Sequence, residues 1–264
     1  MDLRGVRPAR GDRRLTTTKT PPRPPGPLQR LLFALLIAQL GLMSLGWNLL
    51  SPVLSVLLPR RLGTRVGRRG ISRVYRVFWR TAQAIGMMHV DSSALDALRD
   101  EPGGLIVAAN HPTMLDALVV VARLPRGVCV MKAELLRNVF LGTGARLARY
   151  IRNDAGRGMV REAVATLREG GQLVLFPEGT RTVRPPINDF KAGITLIAHL
   201  ARAPIQTVLI ESESPYLTKG WPLLRPPPVP VVIHVRLGAR FAPDADHRAA
   251  LRRLEAYFAD ELER

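Results

Sequence analysis

The sequence predicts an α/β fold, a mixed sheet flanked by helices, with a helical element at its N-terminus that is embedded in a membrane. The sheet is predicted from short apolar runs that alternate with amphipathic stretches after Met87, a pattern typical of strands joined by crossover helices. The membrane element is predicted from residues 31 to 58, which hold no charged side chain. About 20 apolar residues suffice to cross a bilayer.

Five apolar runs after residue 86 are predicted to be strands. They are Leu105 to Ala109, Val128 to Lys132, Leu173 to Phe176, Ile205 to Ile210 and Val229 to Leu237. Four amphipathic stretches are predicted to be helices: Pro112 to Ala122, Arg157 to Arg168, Ala192 to Arg202 and Ala245 to Leu262. With 264 residues, 47% of them hydrophobic, the chain is long enough for one such domain, which we place at residues 86 to 264.

Two further regions precede this domain. Residues 1 to 29 are polar and rich in Arg, Thr and Pro, so we expect a disordered basic tail. Residues 30 to 85 are predicted to form a membrane anchor followed by a basic amphipathic helix. In that helix Arg69, Arg73, Arg76 and Arg80 recur at helical spacing on one side, as in helices that lie in a membrane interface.

The charge of the chain is concentrated around the membrane element. Residues 1 to 80 carry a net charge of +14 out of +18. Basic residues flank the apolar segment on both sides, so a single span would place one cluster on the wrong side under the positive-inside rule. A re-entrant pair of helices within residues 31 to 58 would keep both clusters cytoplasmic, and we favour this monotopic arrangement over a single span. The predicted location is the cytoplasmic face of a bacterial inner membrane, with anionic lipids as partners.

The composition also limits the chemistry. Cys129 is the single cysteine, which excludes an internal disulfide and is typical of a reducing compartment. It lies in an apolar run, so we expect a buried and inert thiol. No cluster of Cys and His has zinc-ligand spacing. We therefore expect neither a metal nor a bound cofactor.

The first candidate motif is Asn-His-Pro-Thr-Met-Leu-Asp at residues 110 to 116, directly after a predicted strand. Pro112 fits the first position of a helix, which places His111 outside it and lets the ring fold back towards Asp116. A carboxylate there would fix the tautomer of His111 and stabilise its imidazolium. The pair predicts a general base for a substrate hydroxyl. Taken alone, a capping histidine with a solvated aspartate is the commoner reason for this spacing.

The second candidate motif is Pro-Glu-Gly-Thr-Arg at residues 177 to 181, after another buried strand. Gly179 permits a sharp turn or a close approach of a ligand to the backbone. Glu178 can accept a hydrogen bond from a hydroxyl, and Arg181 can bind phosphate in a fork. Backbone N–H groups of the turn, at Gly179 and Thr180, can contribute to anion or oxyanion binding.

With both motifs in one chain, residues 85 to 240 resemble the glycerolipid acyltransferase family that includes 1-acylglycerol-3-phosphate O-acyltransferases. The resemblance rests on the two motifs and on Lys-Ala-Glu-Leu at 132 to 135, Phe-Lys-Ala-Gly at 190 to 193 and Ala-Pro-Ile at 203 to 205. It implies that His111 is the catalytic base and Asp116 its orienting partner. It also implies that Glu178 and Arg181 hold the acceptor, with Lys132 and Arg152 around the acceptor phosphate.

The activity that the resemblance implies is transfer of a fatty acyl group from acyl-CoA or acyl carrier protein to a lysophospholipid. The acceptor would be 1-acylglycerol-3-phosphate and the product phosphatidic acid. Two positions near the presumed acceptor site depart from the family pattern, Val139 in place of Pro and Ile151-Arg152-Asn153 in place of Ile-Asp-Arg. These departures leave a different lysolipid or a specialised lipid hydroxyl as an alternative acceptor.

Two alternatives belong to other functional classes. A catalytically silent lipid-binding protein could use the same fold, although all four motif residues needed for catalysis are present. A basic nucleic-acid binder would fit the charge, but no helix-turn-helix, zinc or stacking-aromatic pattern accompanies it. We therefore expect no nucleic-acid partner.

Overall fold

The computed structural model describes residues 23 to 263. The predicted basic tail therefore lies mostly outside the described residues. Its predicted end at residue 29 is wrong, because Arg23 pairs with Val229 in a short antiparallel bridge and a helix already begins at Pro27. Proline suits the first helical position, and the side chain of Gln29 accepts a 2.6 Å hydrogen bond from the amide of Gly26.

Two long helices open the described chain, α1 (Pro27–Leu57) and α2 (Arg60–Ala84). They run antiparallel: a Cβ at Gly70 of α2 would lie 2.1 Å from the ring of Trp47, and Gln39 of α1 donates a 3.0 Å hydrogen bond to Thr81. The predicted re-entrant pair within residues 31 to 58 is wrong. This segment is one continuous helix that accommodates Pro52, and the reversal occurs at Leu58 and Pro59.

A seven-stranded sheet follows the two helices, in the order β1-β7-β6-β2-β5-β3-β4. Its strands are β1 (Met88–Asp91), β2 (Leu105–Ala109), β3 (Gly127–Met131), β4 (Ile151–Arg152), β5 (Gln172–Leu175), β6 (Ile205–Ser212) and β7 (Val231–Phe241). All neighbouring strands are parallel except β6 and β7. The predicted mixed α/β sheet is therefore confirmed.

Helices cover both faces of the sheet. They are α3 (Asp116–Arg123), α4 (Gly142–Ala148), α5 (Arg157–Arg168), α6 (Gly193–Ala201) and α7 (His247–Glu263), with short 3-10 helices at Ser93–Leu98 and Ala133–Arg137. One hydrophobic core joins the sheet to α1, α2 and α3, and a second core joins the opposite face to α5, α6 and α7. The N-terminal helices are thus packed onto the domain that carries the motifs.

The helix predicted from Pro112 begins four residues later, at Asp116. The side chain of Asp116 accepts hydrogen bonds from the amide and hydroxyl of Thr113, and such local bonds compete with a helical first turn. Residues 110 to 115 therefore form an irregular turn, which keeps His111 outside the helix.

Candidate active site

The two motifs lie side by side because β2 and β5 are neighbouring parallel strands, with Val107 opposite Val174. The carboxyl ends of parallel strands meet at one edge of a sheet, and this edge is where ligands bind in open α/β folds. We name the segment at residues 110 to 116, after β2, the histidine turn. The segment at residues 177 to 182, after β5, is the arginine turn.

A buried carboxylate supports the imidazole in the histidine turn. Nδ1 of His111 lies 2.9 Å from Oδ2 of Asp116, whose side chain is fully buried. The same oxygen accepts a 2.7 Å bond from the amide of Thr113, and Oδ1 accepts a 2.7 Å bond from its hydroxyl. Burial raises the pKa of Asp116, and these bonds oppose that shift. A carboxylate on Nδ1 selects the tautomer that leaves Nε2 of His111 free to accept a proton.

The ring of His111 is held from a second side by Phe176. The two rings stack with centroids 4.2 Å apart and an interplanar angle of 25°. The side chain of His111 keeps 18% of its surface accessible, although Asp116 beneath it is buried. The imidazole is therefore fixed in orientation and still reachable by a substrate.

Glu178 ties the arginine turn to the histidine turn. Its oxygens accept 2.9 Å hydrogen bonds from the amides of His111 and Asn188 and from the hydroxyl of Thr182. The amide of Thr182 in turn donates a 2.7 Å bond to the carbonyl of His111. Glu178 is only 1% exposed. In this structure the carboxylate positions the backbone around His111, and its predicted contact with an acceptor hydroxyl stays a prediction.

Gly179 and Arg181 shape the outer part of the arginine turn. Gly179 has φ of +69°, a conformation that favours glycine, and the side chain of Lys191 packs over it. Nη1 of Arg181 donates 2.9 Å bonds to the carbonyls of Leu217 and Thr218. These bonds anchor the guanidinium through one nitrogen, so its other donors remain available to an anion.

Lys132 and Arg152 lie along the same edge of the sheet, at the ends of β3 and β4. At about 4.8 Å per strand, Lys132 is about 10 Å and Arg152 about 14 Å to the side of β2. Lys132 is exposed, whereas Arg152 forms an ion pair of 2.8 Å with Asp154. The geometry therefore favours Lys132 over Arg152 as a second cation near His111.

An apolar cavity of about 580 Å³ opens beside His111 between the sheet, α3 and the two N-terminal helices. Its wall includes Ile37, Leu40, Trp47, Val74, Phe78, Leu118, Val121 and Cys129. Burial raises the pKa of Cys129 to about 12, which keeps this thiol protonated and inert at neutral pH, as its apolar surroundings in the sequence predict.

Apolar side chains surround the entrance to this cavity on the outside of the protein. Met114, Leu135, Phe140 and Leu223 line the cavity and are each exposed over at least about a third of their surface. They come from three separate segments of the chain, since Leu135 and Phe140 lie only five residues apart. Because soluble surfaces rarely gather exposed apolar side chains around one opening, this entrance has the character of a surface that contacts another molecule.

Three residues at the site were missed by sequence reasoning as partners of His111. The sequence predicts Phe176 only as the last apolar residue of a strand, and Thr113 only as a residue of the helix that begins at Pro112. Asn110 exchanges hydrogen bonds of 2.8 and 2.7 Å with the backbone of Ile210 and so joins β2 to β6 beyond the last strand pair. Only the small polar character of Thr113 near Asp116 could have signalled its bond to the carboxylate.

A His–Asp pair, an arginine-bearing turn and an apolar cavity meet at one sheet edge, an arrangement suited to general acid–base chemistry on a partly apolar ligand. A family model described as Acyltransferase matches residues 89–211, which contain the pair, both turns and Lys132. The match covers 123 of the 264 residues, a little under half of the chain.

Curated proteins with similar sequences are named as acyltransferases. The chain is 32% identical over 133 residues to a 1-acyl-sn-glycerol-3-phosphate acyltransferase of Limnanthes alba, covering 48% of this chain and 47% of that protein. It is also 32% identical over 123 residues to a 1-acyl-sn-glycerol-3-phosphate acyltransferase alpha of Mus musculus, covering 43% and 42%. The chain thus spans about half the length of the curated relatives it matches.

The fold is similar to a solved structure, that of the 1-acyl-sn-glycerophosphate (LPA) acyltransferase PlsC from Thermotoga maritima. The TM-score is 0.68 with 20% sequence identity, over 89% of this chain and 94% of that chain. The likeness therefore extends through the sheet and beyond the residues that the family model matches.

Proposed function

We propose that this chain transfers a fatty acyl group from a thioester to the hydroxyl of a lysophospholipid, with 1-acylglycerol-3-phosphate as acceptor and phosphatidic acid as product. One observation carries the proposal: an oriented His111 faces an apolar cavity on one side and the arginine turn on the other. The names of the relatives agree with this acceptor.

The proposed reaction is one direct transfer. Nε2 of His111 takes the proton of the acceptor hydroxyl as that oxygen attacks the thioester carbonyl, and Asp116 stabilises the imidazolium. The tetrahedral intermediate collapses with cleavage of the C–S bond, and His111 returns the proton to the leaving thiolate. Each step uses only this chain and its two substrates, so we propose that no metal or cofactor takes part.

The size of the cavity supports a long acyl chain. Val107 on β2 lies four residues before His111. Cys129 on β3 lies in register with Val107, two strands to the side. At about 3.3 Å per residue and about 4.8 Å per strand, the cavity reaches about 16 Å from the histidine turn to Cys129. Carbon–carbon bonds of about 1.5 Å in an extended zigzag place about a dozen carbons along that path.

Donors of the arginine turn support an acceptor with a phosphate. Arg181 is held through Nη1 and offers its remaining donors, and Lys132 lies on the same edge. The amides of Thr180 and Arg181 donate no hydrogen bond to other described residues, so they are available to an anion or to the oxyanion. Glu178 holds this turn against His111, which places the phosphate donors beside the base.

The helix pair supports a location at the membrane surface. Helix α1 is long and apolar enough to cross a bilayer, and only 17% of its most apolar 18-residue window is buried in the fold. Helix α2 lies antiparallel along α1 and holds eight arginines. A spanning α1 would carry α2 into the hydrocarbon, where each arginine costs about 3 kcal/mol. We therefore propose a monotopic anchor on the cytoplasmic face of a bacterial inner membrane.

Thioester consumption by the full chain in detergent tests the function. Acyl-CoA and acyl carrier protein would each be offered with a panel of lysolipids, and His111→Ala would be measured beside the wild type. We expect transfer to lysophosphatidic acid that falls by at least about 10²-fold in the variant, since a general base contributes that much. Unchanged melting of the variant is the control for folding.

The panel separates the alternatives. Transfer only to another lysolipid would keep the mechanism and reject the proposed acceptor. Lysolipid binding without transfer from any thioester would favour a silent lipid-binding protein over an enzyme. Retained turnover in His111→Ala would reject the mechanism.

A further inference from the structure

A second opening, separate from the cavity at His111, lies where α1 ends, α2 begins and α4 packs against both. It has a volume of about 380 Å³. We name it the arginine cleft, and its polar lining consists of Arg60, Arg146, Arg149, Ser51, Ser55, Thr64 and Thr143. No aspartate or glutamate is among the lining residues.

The three arginines of the cleft have no acidic partner among residues 23 to 263. Nη2 of Arg146 donates a 2.6 Å bond to the carbonyl of Leu136, whereas the side chains of Arg60 and Arg149 make no hydrogen bond or ion pair within the described chain. Five arginines elsewhere in that part of the chain do pair with carboxylates. The cleft therefore carries unneutralised positive charge and is suited to an anion.

The hydroxyl groups around the cleft are already used as donors. Ser55 donates to the carbonyl of Pro52 and Thr64 to that of Arg60, at 2.6 and 2.9 Å. Thr143 donates to Asn48 of α1. Their free lone pairs can accept hydrogen bonds from a ligand that also has donors, such as a polyol. The arginines of the cleft would bind the anionic group of the same ligand.

Exposed apolar side chains lie within a few residues of those that line the cleft. Over the last turns of α1 and the first turn of α2 they are Leu49, Val53, Val56, Leu57 and Leu62, each at least 47% exposed. An anion that binds in the cleft would thus lie next to a hydrocarbon surface. This pairing of charge and apolar surface matches the headgroup and the chains of a phospholipid.

We propose that the arginine cleft binds the phosphate of an anionic phospholipid whose acyl chains lie along the exposed side of α1. The proposal rests on the surface location of the helix pair argued above, and not on acyl transfer. Trp47 and Asn48 line the large cavity, and Ser51, one turn further on, lines the cleft. A lipid in the cleft would therefore hold α1 against α4, the two helices that also wall the cavity.

Vesicle binding of the full chain tests the cleft. The double variant Arg60→Gln/Arg149→Gln removes two cleft charges whose side chains make no bond within the described chain. Arg73→Gln/Arg80→Gln removes the same charge from exposed positions elsewhere on α2. On phosphatidylcholine vesicles that contain phosphatidylglycerol, we expect the cleft variant to bind roughly tenfold or more weakly than the control variant.

Further arms identify the ligand and the alternatives. On pure phosphatidylcholine vesicles, all three proteins should bind equally. Inorganic phosphate or glycerol 3-phosphate at millimolar concentration should not displace the protein; displacement would overturn the lipid as ligand in favour of the free anion. If the cleft and control variants lost the same affinity for phosphatidylglycerol vesicles, the cleft would be rejected as a specific site. Binding would then depend on the overall positive charge of the protein.

A loss of binding that accompanies a lowered melting temperature would be checked with Arg149→Gln alone, which should retain an intermediate affinity. Wild-type binding by a folded Arg149→Gln would overturn the site. Absence of binding to both kinds of vesicle by wild type would overturn the surface location together with the cleft. Neither result would affect the measurement of thioester transfer in detergent, so the proposed activity is tested independently.

Discussion

The histidine turn and the arginine turn follow adjacent strands, and each contains one buried carboxylate, but the two carboxylates have different partners. Asp116 binds the imidazole of His111, which lines the cavity, and its other bonds come from one residue, Thr113. Glu178 binds three donors of the protein backbone and side chains and contacts no titratable ring. The first carboxylate supports the proposed base, whereas the second links the backbones of the two turns.

Burial alone does not distinguish a carboxylate that supports a base from one that holds two turns together. Both side chains are at most 1% exposed. What differs is the arrangement of donors around each oxygen. Oδ1 of Asp116 faces only a hydroxyl, which can also accept a hydrogen bond, whereas each oxygen of Glu178 faces a backbone amide, which cannot. The same change from acid to amide should therefore have opposite effects in the two turns.

Asp116→Asn should have the largest effect on activity. Its amide group can donate to the hydroxyl of Thr113, and its oxygen can keep the bonds from Thr113 and His111, so folding should change by less than about 1 kcal/mol. The negative charge that stabilises the imidazolium is lost, so turnover should fall by about 10²- to 10⁴-fold. Single-turnover transfer and thermal melting would be measured on the same preparation; turnover within a few-fold of wild type would contradict the assigned pair.

Glu178→Gln should affect stability more than Asp116→Asn does. Whichever oxygen is replaced, the new amide group faces the backbone N–H of His111 or of Asn188, which then lacks an acceptor in a buried position. The expected cost is about 1–3 kcal/mol of unfolding free energy, or roughly 2–12 °C of melting temperature for a chain of this size. Asp116→Asn is the matched control. Equal melting of the two variants would show that Glu178 does not hold the turns together.

The sequence was sufficient to predict the sheet because five of its strands coincide with short apolar runs. The five predicted strands and the four predicted helices agree with the structure to within about four residues at each end. It was also sufficient to place His111 and Asp116 together, because a proline after the histidine limits the local backbone. Short elements were missed: α4 is rich in Gly and Ala, and β4 has only two residues, so neither gives a periodic signal.

The arrangement of the N-terminal helices could not be predicted from the apolar pattern. The re-entrant pair predicted within residues 31 to 58 requires a break in α1, but the helix continues through Gly41, Gly46 and Pro52. The partner of α1 is instead the arginine-rich α2, whose Gly67 and Gly70 let Ala148 and Trp47 approach closely. Such contacts depend on tertiary structure. For the same reason, the sequence could not show that Glu178 faces the amide of His111, since the two residues lie 67 positions apart.

Arg181→Lys should have the smallest effect of the three changes. It separates the structural bonds of this side chain from its proposed binding of the substrate phosphate. A lysine can donate to the carbonyls of Leu217 and Thr218 but then has few donors left for a phosphate, and it lacks the planar fork. We expect the KM for lysophosphatidic acid to rise about tenfold, in line with one charge-assisted hydrogen bond, with kcat and melting changed far less. Monoacylglycerol, which has no phosphate, serves as the control acceptor.

Arg152→Gln should raise the KM for lysophosphatidic acid less than Arg181→Lys does, because Arg152 is paired with Asp154 and lies three strands from β2. A larger rise in Arg152→Gln than in Arg181→Lys would move the phosphate site to the far end of the sheet edge.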